Sequence, residues 1–152
     1  MEPSEAPIDD TDLEDHTERS LAGAKWGKAL DAGFQIVPNV LLRGQAKLGL
    51  DPLDVVILLN IALHWWQRDD LPFPQPRVIA NRAGVSIRTI ERRLEDLERR
   101  GFLRRLAPEK SRNRLSQRRI DLGGLVERLQ EYATTNLARR AGRGEVGVEL
   151  ET

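Results

Sequence analysis

A mainly α-helical fold with one short β-hairpin is expected for this chain, on three observations. Between Ile79 and Arg105 the sequence reads IANRAGVSIRTIERRLEDLERRGFLRR: a short apolar-periodic segment, a tight turn, then a longer amphipathic segment that stops at Gly101. Upstream, an almost unbroken apolar run follows a start signal at Asp51-Pro52. Downstream, the polar octet APEKSRNR (Ala107 to Arg114) separates two apolar-basic stretches, and Leu125, Leu129 and Tyr132 then recur at helical spacing.

Taken in order, residues 1–20 hold eight acids and one Arg, lack apolar periodicity, and read as an acidic disordered tail of net charge −7. Residues 21–33 read as a linker or short helix, and Phe34 to Val37 as a short apolar run with strand character. Pro38 to Leu48 has helical spacing. Asp51 then supplies a capping carboxylate and Pro52 a first helical residue, opening a helix expected to reach Gln67. That helix is apolar on nearly every face, more than one layer of a small core requires. Its end, His64-Trp65-Trp66, reads as core or subunit seam rather than a cofactor box. Arg68 to Pro76, with three prolines, is a connector.

Gln75-Pro76 opens the next helix, which ends at Ala83. Gly84 is expected to ease the approach of the two helices, Val85 to enter the core, and Ser86 to cap the following helix through its side-chain oxygen. At about 100° per residue, Ile90, Leu94 and Leu97 fall on one stripe while Arg88, Arg92 and Arg99 point away from it. Gly101 stands where a helix ends in a left-handed residue. Phe102 to Leu106 and Leu115 to Leu122 are the expected strands, and Gly123-Gly124 breaks the second. A last helix runs to about Arg139. Residues 34–140 therefore form one domain, and residues 141–152, Gly-rich and acidic, a flexible C-terminal tail.

Two helices joined by a tight turn and flowing into a hairpin make a winged helix-turn-helix, here with a small β-hairpin wing and an additional C-terminal helix. The chain resembles the winged helix-turn-helix proteins of bacteria and their mobile elements, a group of transcription regulators and plasmid replication initiators. The matching stretches are PNVLLRGQAKLGLDPLDVVILLNIALHWW (Pro38 to Trp66), LPFPQPRVIANRAGVSIRTIERRLEDLERRGFL (Leu71 to Leu103) and RIDLGGLVERL (Arg119 to Leu129). The resemblance implies double-stranded DNA binding through the helix that starts at Ser86 and through the wing.

The candidate DNA-binding residues follow from position and chemistry. Arg88, Thr89 and Arg92 lie in the first two turns of the recognition helix, the part that meets base edges. The planar fork of Arg matches the two acceptors of guanine. The bland alternative for Arg92 is an ion pair with Asp96 one turn on. Ser86 sits at the helix start, and Arg93 on the flank nearer the core, reaching phosphate or lying along the surface. Lys110, Arg112 and Arg114 occupy the wing tip, Arg77 and Arg82 are phosphate clamps on the preceding helix, and alternation sends one of Arg118 and Arg119 outward.

Charge supports that assignment. The whole chain is formally neutral, yet residues 77–119 hold fourteen Lys or Arg against five acids, a net +9. There is no Cys, so disulfides and thiolate chemistry are excluded, and two histidines do not make a usual zinc site. No nucleophile–base pair or phosphate-binding glycine loop is present, so no enzyme, metal, cofactor or small-molecule ligand is expected. The apolar run from Val55 to Trp66 is broken by Asn60 and His64 and is too short to span a bilayer, so the expectation is a soluble cytoplasmic protein. The leading function is a sequence-specific DNA-binding transcription regulator. The alternatives are a plasmid or phage replication initiator-like DNA-binding protein, or a winged-helix protein–protein interaction module. A homodimer is expected from the surplus apolar surface; the competing account folds the last helix back over the long helix of its own chain, giving a monomer.

Overall fold

The computed structural model of the chain describes residues 20–107 and 118–142. The expected acidic tail lies outside them, apart from Ser20, as do the wing tip and residues 143–152. The chain divides into two units, residues 1–36 and residues 37–152. In the first, residues 20–26 are helical and a 3-10 helix follows at Gly27–Ala32. Residues 33–38, expected to include a strand, form no regular structure.

The second unit opens with a short helix, α1 (Asn39–Arg43), bounded by Pro38 and Gly44. The expected continuation to Leu48 is replaced by turns. At Gly44 a Cβ would come within 2.7 Å of the Tyr132 ring, so the ring of the last helix uses the space a side chain would need. Helix α2 (Pro52–Ala62) begins at the Asp51 cap as expected, through a reciprocal pair. The Asp51 carboxylate accepts from the Asp54 backbone N–H at 2.9 Å, and the Asp54 carboxylate accepts from the Asp51 N–H at 3.1 Å. Val55, Ile57, Leu58 and Ile61 are buried. The helix ends short of Gln67: the Trp65 N–H turns to the Ala62 carbonyl three residues back, and its indole N–H donates to the Arg68 carbonyl.

Helix α3 (Pro76–Ala83) and helix α4 (Ile87–Arg99) form the helix-turn-helix. Gly84 takes the left-handed conformation (φ 68°), but nothing lies within 4 Å of a Cβ built there. Its role is therefore to turn the chain, and not, as expected, to let the helices approach. Val85 is half-buried against the core. The Ser86 Oγ accepts from the Thr89 N–H at 3.1 Å, completing the N-cap. Ile90, Leu94 and Leu97 are almost fully buried, as the stripe demands.

After Gly101 (φ 80°) the chain enters β1 (Arg104–Arg105), which pairs antiparallel with β2 (Ile120–Asp121) in the register Arg104 with Asp121 and Arg105 with Ile120. Both described strands are shorter than the sequence suggests. The connector adds one rung, its Pro72 carbonyl accepting from the Ile120 N–H at 3.0 Å. Helix α5 (Gly123–Gly142) starts on the two glycines expected only to break the strand. Asp121 accepts from the Gly123 N–H, and Gly124 passes so close to the Gly101 carbonyl that a Cβ would lie 2.0 Å from its oxygen. Close passage also lets the Leu125 N–H donate to the Phe102 carbonyl at 2.8 Å. Leu125 and Leu129 join the core formed by Leu41, Leu58, Ile79, Ile90 and Phe102. The result is a mainly helical fold with one small antiparallel hairpin. No helix among the described residues is long and apolar enough to cross a membrane.

Candidate nucleic-acid interface

The physical question at the recognition helix is which of its arginines already have partners. Leu94 and Leu97 hold one face of α4 in the core, so Arg88 and Arg92 are carried on the opposite face and both are exposed. Neither has a hydrogen-bond or ion-pair partner among the described residues. Asp96, the alternative partner for Arg92, is engaged by Arg99. Its carboxylate also lies 2.9 Å from Arg100 Nε, at ion-pair distance but off the N–H direction. Thr89 is half-buried, and its hydroxyl is 2.9 Å from the Ser86 Oγ, so both hydroxyls serve the helix start.

On α3, Arg77 is exposed and unpaired among the described residues, while Arg82 donates to the Asn60 side-chain oxygen at 3.2 Å. A neutral partner leaves the Arg82 charge uncompensated. Lys110, Arg112 and Arg114 lie outside the described residues.

Arg93 differs from its neighbour Arg92. Its guanidinium is hydrogen-bonded to the Asp51 carboxylate and lies 3.4 Å from that of Asp54. Arg100, two turns along the same flank, reaches Asp54 at 3.0 Å and also donates to the Gly49 carbonyl. The cap of α2 thus grips α4. The hydrogen bond from Asp51 raises the Arg93 pKa above its ordinary value, with desolvation opposing. For Asp51, desolvation pushes the carboxyl up, but the Asp54 N–H and the Arg93 guanidinium outweigh it and hold the group below its usual range. Sequence reasoning found the cap but missed its arginine partners. The Asp51–Asp54 spacing signals a capping box; nothing in it signals a residue some forty positions away.

The wing is likewise tied to α4. Glu98 accepts from the Arg105 N–H at 3.1 Å and from its guanidinium at 2.8 Å. Arg104 reaches Asp121 across the hairpin at 3.0 Å. Neither Arg118 nor Arg119 is the outward cation that strand alternation suggested. Arg118 donates to the Leu106 and Arg105 carbonyls, and Arg119 lies 3.5 Å from Asp70 with its guanidinium over the Phe73 ring. Of the two adjacent tryptophans, Trp65 packs on the core as expected, while Trp66 is 76% exposed at the rim of an open groove with Leu71 and Val126.

Residues 37–140 match the sequence model of the DnaD N-terminal domain. Among solved structures, the chain is similar to the N-terminal domain of the DnaD protein from Geobacillus kaustophilus HTA426. The two are 24% identical, with a TM-score of 0.55, over 78% of this chain and 96% of that one. No functionally curated protein gives a significant match.

Proposed function

This chain belongs to the DnaD N-terminal domain family, a replication-related bacterial domain, and on that premise we propose that it binds double-stranded DNA as part of a replication system. This reading favours the replication alternative over transcription regulation, for which the family offers no support. The observation that carries it is the state of α4. Arg88 and Arg92 project from the first two turns of a rigid, capped helix with no acidic partner among the described residues, in the region of a recognition helix that meets base edges. Arg77 and Arg82 on α3, the helix before the turn, supply charge for phosphate. The wing tip adds Lys110, Arg112 and Arg114 by sequence alone.

The net +9 of residues 77–119 overstates the available charge, because Arg93, Arg99, Arg100, Arg104, Arg105 and Arg119 each have an acidic neighbour. The salt dependence of DNA binding should therefore be shallower than fourteen cations would give. Anisotropy titrations of the full chain with a random-sequence duplex at several salt concentrations test this. Each neutralised phosphate contributes about −0.9 to the slope of log K against log salt. Undetectable binding at low salt would rule the function out.

A second reading, a winged-helix module that holds another protein, is favoured by one observation. Trp66 stands exposed on a groove whose acids Asp69 and Glu127 have no ion-pair partner among the described residues. Failure of the DNA titrations would move the weight to that groove.

A further inference from the structure

Arg88, Arg92 and Arg93 of α4 and Arg100 at its C-cap lie close enough in sequence to meet one stretch of DNA, and the fold treats them in two ways. Arg88 and Arg92 are unpaired among the described residues; Arg93 and Arg100 are drawn back onto the start of α2 by Asp51 and Asp54. The holding side is unequal in burial. The Asp54 side chain is 2% exposed, that of Asp51 is 41% exposed, and that of Arg93 is 34% exposed. Arg93 is thus accessible enough to turn toward a phosphate; Asp51 is its closest acidic partner, while the buried Asp54 carboxylate has Arg100 at 3.0 Å, nearer than Arg93 at 3.4 Å. With Arg100 left as the counter-charge of Asp54, the hold on Arg93 that a substitution can remove is the Asp51 carboxylate.

We infer that Asp51 is a specificity-determining residue of the DNA interface: it retains Arg93 on the protein and so suppresses phosphate binding that is blind to sequence. The inference rests on the DNA-binding reading of α4. The physical logic is that a phosphate contact tightens binding to every sequence equally, so each cation withheld lowers the non-specific level while leaving base contacts in place. Arg88 and Arg92 are left to discriminate. Asp51 acts through Arg93 and touches no nucleic acid itself.

The test is the salt slope on a random-sequence duplex. Asp51→Asn keeps a good capping side chain while removing the charge that retains Arg93. It should bind random DNA more tightly at low salt and steepen the slope by about 0.9, one further phosphate. Arg93→Gln in the otherwise unaltered chain should leave the slope where it was, and adding Arg93→Gln to Asp51→Asn should restore it. Glu91→Gln, on an exposed residue of α4 without an ion-pair partner among the described residues, makes the same charge change without releasing an arginine and should not alter the slope. An unchanged slope in Asp51→Asn, a flatter one in Arg93→Gln alone, or the same steepening in Glu91→Gln would overturn the inference while the DNA reading stood. A parent chain that binds no duplex would remove both.

Discussion

Arg88 and Arg92 are the residues at which chemistry and geometry agree best. Each is exposed, on the side of α4 opposite its buried leucines, and without an acidic partner among the described residues. Replacing either by Ala should weaken binding to a preferred site by about 1–3 kcal/mol and relax base preference there. Arg112→Ala and Arg114→Ala should weaken all sequences more evenly. Selection from random duplexes followed by titration separates the two patterns, and their exchange would reverse the roles of helix and wing. Two glycines make a matched pair of stability tests. Gly84 needs its left-handed φ but has nothing within 4 Å of a Cβ, so Gly84→Ala should cost about 1–2 kcal/mol. Gly124→Ala would drive a methyl against the Gly101 carbonyl, and overpacking of that kind costs about 1–3 kcal/mol or more. Urea midpoints should rank Gly124→Ala below Gly84→Ala; the reverse order would mean the contact between α5 and the end of α4 is looser than described.

The joint between α4 and the hairpin is the element on which the wing's direction depends. Burial pushes the Glu98 carboxyl up, but the Arg105 N–H, the Arg105 guanidinium and the charge of Arg118 outweigh it and leave the group below its ordinary value. Asp51, at the other end of the helix assembly, is lowered in the same net direction. In the unfolded chain these groups take up protons near their ordinary values, about 4.3 for Glu and 3.9 for Asp, while the folded chain still resists. Below that range the unfolded state binds more protons, so stability falls with pH; above it, the contribution is fully present. Urea midpoints should therefore be level from pH 7 to about 5 and drop steeply below about 4. Glu98→Gln should lower the midpoint at neutral pH and flatten the acid decline. An unchanged acid profile in that variant would show that other carboxylates govern it.

At the scale of the whole molecule, the apolar stripe of α5 is divided. Leu125 and Leu129 are buried in the chain's own core and Tyr132 lies over Gly44, beside α1 rather than the long helix that the fold-back account named, while Leu137 remains 66% exposed. Leu42, on the facing helix α1, is 58% exposed. We expect these to support a homodimer, which in a two-fold arrangement would set two recognition helices about 34 Å apart, one DNA turn. Light scattering at micromolar concentration tests it: a monomer mass, both free and on DNA, would end the dimer proposal. The acidic N-terminal segment gives a second whole-chain test. Residues 1–20 carry net −7, and deleting them should tighten non-specific binding at low salt while leaving the fold intact. Equal affinity in the truncated chain would make the segment a solubilising tail alone.

The sequence by itself determined the elements whose causes are local. The Asp51 and Ser86 caps, proline at the first residue of α2 and α3, the left-handed turn at Gly101, and the buried stripe Ile90-Leu94-Leu97 all depend on residues within a turn or two of one another. Local spacing also sufficed to put Arg88 and Arg92 on the outer face of α4. It could not set where α2 stops, because the bond from the Trp65 indole to Arg68 is a product of how the chain turns. Nor could it show that α5 begins on Gly123-Gly124, since the need for Gly124 comes from the Gly101 carbonyl across the fold. The fate of the remaining arginines was likewise decided by tertiary structure. Spacing left Arg93 on the flank nearer the core and sent one of Arg118 and Arg119 outward, but these and Arg100 are each held by a carboxylate, carbonyl or ring brought to them by packing. Helical and strand periodicity tells which way a side chain leaves its own element; only the assembled fold places another element's acceptor within reach of a long, flexible guanidinium.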